Sequence, residues 1–299
     1  MSRTTVGTAA SRAVFAAIAA LTLAACGDDP ATMNAPARPA AALGAEAGEQ
    51  VFYGQSMPVG NGIARTYLIV DGDTPRELGV EMNAGAFESL PGIDDHAGHG
   101  VPSAGRHHHG PTWDLPVPQQ ATAVTPFRVV GLGWEATGHG APYDKPHFDF
   151  HFYTVDESAL DEITPANPQW SQLAGAFPSP AYWPQNTYPL NLLLGGPADA
   201  MAVPRMGIHW LDVTSPELQR VPNPPPFTRT MFRGSWGGKL IFYEPMITRA
   251  TLQSDVEETV AIAPAAAYAP AGNHPTQYKY YWVEAGKRRR VALTSFVAR

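Results

Sequence analysis

Residues 146–153 read Pro-His-Phe-Asp-Phe-His-Phe-Tyr, with polar and aromatic side chains in strict alternation. On a β-strand the side chains at i, i+2 and i+4 share a face. His147, Asp149 and His151 then line one face, and Phe148, Phe150 and Phe152 the other. Imidazole nitrogen and carboxylate oxygen are ligands for zinc, manganese, iron or copper, and they also carry protons, so this run could serve a metal or proton-transfer site. His147 and His151 also stand at i, i+4, the spacing of helical zinc pairs. The aromatic content and Pro146, which pushes Lys145 out of the α region, favour the strand.

Spacing limits what one ion can take. A strand rises about 3.3 Å per residue, so the Cα atoms of His147 and His151 are about 13 Å apart and those of i, i+2 neighbours about 6.6 Å. A ligand set is therefore expected to combine Asp149 with one histidine and to be completed from elsewhere, unless a bulge relaxes the strand. Three segments offer completion. Met206-Gly207-Ile208-His209-Trp210 supplies His209. Phe242-Tyr243-Glu244-Pro245 supplies Glu244, a carboxylate at the end of an apolar run. Gly138-His139-Gly140 supplies His139 in a turn, as a weaker candidate. His147, Asp149, His151, His209 and Glu244 are expected to converge in space, at least three of them within reach of a single ion or water in one pocket with Trp210 and tyrosines as its wall. The alternative is a polar network that organises a barrel interior without metal.

The elements that must hold these residues read as mainly β. Gln50–Gln55, Ile63–Val70, Phe127–Glu135, His147–Thr154, Thr228–Arg233, Lys239–Glu244, Tyr278–Val283 and Arg290–Val297 are β-branched or aromatic runs bounded by turn residues. Residues 234–238 and 284–287 read as hairpin turns. A short helix is expected over Asp156–Ile163 with Asp156 as its cap, and weaker ones around Leu173 and Leu218. Residues 169–194 read as a long packed loop. The pattern predicts an antiparallel barrel or sandwich, like a cupin or calycin at the coarsest level, with a few short helices and long Pro-rich loops.

The first residues carry a different signal. Arg3 and Arg12 flank the start of an apolar run over 13–25 that ends in Leu23-Ala24-Ala25-Cys26, the pattern of a lipoprotein signal peptide cleaved before a lipidated Cys26. An ordinary signal peptide cut near Ala25 is the alternative. The run is shorter than the roughly 20 apolar residues that a span needs. Residues 1–25 are thus read as signal peptide, 26–49 as a flexible tether and 50–299 as one β-rich domain. Secretion across the inner membrane and lipid anchoring in the envelope, at the outer membrane, follow as expectations.

Composition narrows the partners. Twenty basic and 27 acidic residues give a net charge of −7, and removal of Arg3 and Arg12 takes it to −9. The only basic cluster, 287–290, reads as a solvated hairpin turn, so nucleic-acid binding is not expected. Cys26 is the one cysteine, which leaves no intramolecular disulfide and no thiolate metal site. There is no nucleophile elbow, phosphate-binding loop, dinucleotide fingerprint or H-E-x-x-H, and so no nucleotide cofactor is expected. Gly131-Leu132-Gly133 is a weak echo of the fingerprint. Five of the ten histidines fall in a Gly-rich insertion over 91–111, which reads as a variable loop or a loose metal binder rather than a catalytic site.

The ordered boxes at 146–153, 206–210 and 242–248 resemble an uncharacterised family of bacterial secreted proteins and lipoproteins, a domain of unknown function with PHFDxHFY, MGxHW and FxEPMIT boxes, over roughly Val51–Ile262. The resemblance implies a shared site at His147, Asp149, His151, His209 and Glu244 but no reaction. Three functions stay open: a metal-dependent hydrolase or oxidoreductase acting on an unknown small molecule, a non-catalytic metal-binding or envelope-stress lipoprotein, and a structural lipoprotein. Oligomeric state, including a homo-oligomer, stays open with them.

Overall fold

A computed structural model describes residues 48–92, 110–284 and 287–299. The signal segment, Cys26, nearly all of the tether and most of the 91–111 insertion lie outside the described residues. The first sheet holds β1 (Glu49–Tyr53), β2 (Met57–Val59), β3 (Gly62–Asp71), β4 (Thr74–Asn83), β12 (Glu258–Ala261), β13 (Asn273–Val283) and β14 (Arg288–Ala298). Its order is β1-β3-β4-β14-β13-β12, with β2 paired to β3. The second sheet holds β5 (Thr112–Pro116), β6 (Val129–Glu135), β7 (His147–Tyr153), β8 (Thr187–Pro189), β9 (Ile208–Asp212), β10 (Arg229–Trp236) and β11 (Lys239–Thr248), in the order β5-β6-β7-β11-β10-β9-β8. Every strand pairing in both sheets is antiparallel. No closed barrel is found among the described residues.

Among the described residues there are also six short α-helices: α1 (Gln119–Val124), α2 (Glu157–Asp161), α3 (Trp170–Gly175), α4 (Leu190–Leu194), α5 (Ala198–Met201) and α6 (Arg249–Gln253). Asp156 stands at the N-cap of α2 but its side chain makes no capping hydrogen bond. The segment expected as one loop over 169–194 is instead broken into α3, a 3-10 turn, β8 and α4.

Inward-facing residues of both sheets form one buried cluster. Leu68, Leu78, Val80 and Leu293 come from the first sheet, and Val130, Leu132, Phe148, Phe150 and Phe152 from the second. The three β7 phenylalanines are fully buried. Phe148 meets Phe87 edge-on with centroids 5.7 Å apart and lies 4.8 Å from Trp134, while Phe152 packs edge-on to Phe127. These are the favoured geometries of aromatic pairs. Alternation decides β4 as well: Leu78, Val80 and Met82 face the core, while Glu77 and Glu81 project to the opposite face and bond there.

The reading of the basic run is corrected: Arg289 and Arg290 are buried β14 residues, not a solvated turn, with Arg290 on that opposite face and Arg289 on the face of Val291 and Leu293, where it donates to Val256 O. Arg290 donates to Glu81 at 2.8 Å and lies over the Tyr67 ring, and Arg65 donates to the same carboxylate. Glu77 accepts from Tyr67 and Tyr281. The arginines are retained in a half-covered sheet because each charge is matched by a buried acid, backbone oxygen or ring face.

Tyr243 and His274 tie the two sheets together. A carbonyl only accepts, so the 2.8 Å contact to Pro270 O places the proton on His274 Nε2, and the Tyr243 hydroxyl donates to Nδ1 at 3.2 Å. Burial, opposed by the Pro270 bond and reinforced by the charge of Arg233, holds the His274 pKa below the usual 6.5. Protonation therefore favours the unfolded chain: this contribution is whole above about pH 6.5 and is lost as pH falls through the folded value. Between pH 7 and pH 5 the parent should lose stability in urea titrations that His274→Gln does not lose. Phe150→Ala should cost about 3–5 kcal/mol in the same assay at neutral pH, as the truncation of a fully buried phenyl ring does.

Candidate metal centre

The face of the second sheet turned away from the shared core carries the candidate residues. Strand register sets their positions. Across β6, Gly131 opposes His151, Gly133 opposes Asp149 and Glu135 opposes His147. Across β11, Met246 opposes Asp149 and Tyr243 opposes Phe152, which places Glu244 beside His151. The Gly131-Leu132-Gly133 echo thus has a local meaning. Glycines leave the site face of β6 bare, and a Cβ at 133 would stand 3.6 Å from Asp149 Oδ2.

His209 reaches Glu244 across β10. It opposes Gly234, while Phe232 of β10 opposes Glu244. A Cβ on Gly234 would lie 1.9 Å from the Phe242 ring, so only glycine admits that ring between the two strands. Gly207, at φ +72°, brings the start of β9 against β10; a Cβ there would lie 2.3 Å from Ser235 O. His139 sits in the turn before β7. Gly138, at φ +70°, lets the turn close, and His139 N bonds Tyr143 O at 3.0 Å.

The six residues meet in two groups rather than at one point. In the first, His147 Nε2 lies 3.2 Å from Asp149 Oδ1 and His139 Nε2 lies 3.6 Å from Asp149 Oδ2. In the second, His151 Nε2 lies 3.3 Å from Glu244 Oε1 and His209 Nε2 lies 3.6 Å from Glu244 Oε2. Each group offers three ligand atoms that all lie within 4.8 Å of one another. His151, His209 and Glu244 are three of the five expected residues within reach of one point, while His147 and Asp149 are joined by His139 in a group of their own. His139 stands level with the others. Trp210 is removed from the wall: alternation along β9 turns it to the other face, where it stacks on Trp183 and donates to Ser235 Oγ.

These distances accommodate a shared metal ion as well as hydrogen bonds. Nitrogen and oxygen ligands at about 2.0–2.2 Å from an ion in tetrahedral array stand about 3.3 Å from each other. His147 Nε2, Asp149 Oδ1 and Glu244 Oε2 are buried and make no well-aligned hydrogen bond. His147 Nδ1 donates to Lys145 O at 2.6 Å, which leaves Nε2 facing the Asp149 carboxylate at 3.2 Å, a proton donor to it in the ion-free site and the ligand atom if an ion is bound. That carbonyl bond is the outer support usual for a metal-bound imidazole. Two groups of the composition His, His and carboxylate, each short of a closed coordination shell, match the donor sets of catalytic zinc and of non-haem iron.

The two carboxylates are driven in opposite directions. Burial alone would raise Asp149, but His147 and His139 outweigh it and hold its pKa well below the carboxylate range. Glu244 is raised well above that range by burial first, then by the charges of Asp149 and Glu135. His147 is raised: burial lowers it, and the Asp149 carboxylate more than compensates. Glu135 was not among the expected residues. It is buried opposite His147 and accepts from Gly110 N at 2.7 Å. Its signal is the one that singles out Glu244, an acid ending an apolar strand.

A cavity of about 760 Å³ opens onto this face. His139, His209 and Glu244 line it, with Tyr143, Leu211, Phe232 and Met246 among its walls. His147, Asp149 and His151 are fully buried behind them. Gly234→Ala should cost about 1–3 kcal/mol in chemical denaturation by overpacking against Phe242, whereas Gly175→Ala, with nothing near its Cβ, should be tolerated. No protein-family model, curated protein or solved structure matches the chain, so the chemistry of these residues has to be inferred from their geometry.

Proposed function

We propose that the chain is a lipid-anchored extracytoplasmic metalloprotein whose two sheets form a β-sandwich, and that its metal site is catalytic. One observation carries this reading: His151, His209 and Glu244 present three ligand atoms within 4.8 Å of one another, and two of these residues line a cavity large enough for a small molecule. A closed structural site would use a fourth protein ligand. Here the second group offers three, on the side where a substrate would enter.

A divalent ion held there would supply Lewis-acid polarisation of a substrate oxygen, which favours hydrolysis. His151 and His209 hold their nitrogens toward it from β7 and β9, and Glu244 spans both through its two carboxylate oxygens. The first group, His139, Asp149 and His147, would hold a second ion of the same kind. The apolar walls exclude bulk water. Oxidative chemistry is the second reading, because two histidines and a carboxylate with positions to spare are also the donors of mononuclear iron oxygenases. Zinc or manganese content favours the first and iron the second.

Metal analysis of untagged protein in which His96, His99, His107, His108 and His109 are all alanine removes the contribution of the Gly-rich tract. The expected result is up to two equivalents of transition metal, with one lost in His209→Ala and the other in Asp149→Ala. Protein that holds no metal and takes up none from micromolar zinc, manganese, iron or copper would leave a polar network in place of a metal site. The anchor is tested separately: Cys26→Ser should abolish membrane association, since acyl chains on that sulfur supply the binding.

A further inference from the structure

The cavity above the second group has a chemistry of its own. Its volume of about 760 Å³ lies in the range of small-molecule sites. Its polar lining is segregated. His139, His209 and Glu244 stand together at the sheet, and Gln219 and Arg220 are exposed loop residues. Leu190, Leu193, Leu211, Leu218, Phe232 and Met246 are among the aliphatic and aromatic residues that make up most of the remaining wall.

A sugar or nucleotide would leave hydroxyls and phosphates against these walls without partners, at several kcal/mol for each group so buried. A peptide could pair with the free edge of β8, but its remaining backbone amides would stand without partners against the same walls. A chain of methylenes is satisfied by every wall residue and needs hydrogen bonds or a ligand atom at one end only. The mouth agrees with this. Tyr188 is 46 % exposed, Leu193 41 % and Leu194 62 %, and all three line the cavity. A contiguous exposed apolar rim is uncommon unless it contacts a ligand or partner.

We infer that the cavity binds an acyl compound, its aliphatic chain along Leu190, Leu193, Leu211 and Leu218 and its carboxyl or ester oxygens at His209 and Glu244. The position of the head rests on the metal-site reading; the accommodation of the chain does not. Leu193 governs entry from α4, and Leu218 closes the wall opposite.

The full-length chain carrying Cys26→Ser is titrated with 11-(dansylamino)undecanoic acid and followed by fluorescence, with metal content measured on the same samples. Saturable binding in the micromolar range is expected. It should weaken at least tenfold in Leu193→Asp, an exposed position where folding is not at stake, and in Leu218→Trp, which fills the wall; metal content should stay that of the parent. Displacement by dodecanoic acid alone identifies a free acid as the ligand class, and displacement by methyl dodecanoate as well identifies acyl esters. Displacement by neither overturns the inference, as does an affinity that both substitutions leave unchanged. Metal bound without probe defeats this inference and spares the metal site. Probe bound without metal, and yielding to both substitutions, does the reverse.

Discussion

The burial of a polar strand face is the constraint on which the rest of the structure depends. A strand has two faces, and β7 spends one of them on Phe148, Phe150 and Phe152 in the shared core. The other must then carry His147, Asp149 and His151, and all three are buried too. Charged and hydrogen-bonding groups are costly in such a place unless they have partners. The partners come from four further segments: His139 from the turn before β7, Glu135 from β6, Glu244 from β11 and His209 from β9. Antiparallel register places the three strand residues, and the turn closed at Gly138 places His139.

The cover over this face follows from the same constraint. Residues between β7 and β10 divide: Ala174, Trp183, Ile208 and Trp210 join the core between the sheets, and others return over the outer face of the second sheet. Leu160, Ile163, Val203 and Met206 pack on Tyr153 and Phe242 there, and Leu211 packs with Tyr143, Phe232 and Met246. The site is therefore enclosed by apolar groups yet entered through the cavity, a combination that strengthens electrostatic interactions at the ligand atoms. Asp149 and Glu244 are both buried beside two imidazoles, yet His147 and His139 hold Asp149 down while burial and the charges of Asp149 and Glu135 raise Glu244.

The local pattern of β7 was legible in the sequence because period-2 alternation is a one-dimensional signal. So were His209 and Glu244, since each interrupts an apolar run. Their grouping was not legible. It depends on which residue of β11 opposes which residue of β7, and strand order and register are set by long-range pairing. The same reason explains Trp210, which lies next to His209 in sequence and on the opposite face in space. β4 was missed although Leu78, Val80 and Met82 alternate with Glu77, Gly79 and Glu81, because Pro75, Gly79 and the acids lower strand propensity while cross-strand arginines and tyrosines compensate. The arginines of 288–290 read as a surface turn for the same reason in reverse: only the fold supplies Glu81.

The central claim is that two histidines and one carboxylate on the outer face of the second sheet hold a metal ion at the head of an apolar cavity. Anomalous diffraction from crystals soaked in zinc or manganese tests it most directly. The account predicts a peak within about 2.0–2.2 Å of both His151 and His209 ring nitrogens and of a Glu244 oxygen, with a second at His139, Asp149 and His147. Anomalous density confined to the histidines of 96–109, with His151 and His209 hydrogen-bonded to Glu244 at shorter distances than here, would contradict it.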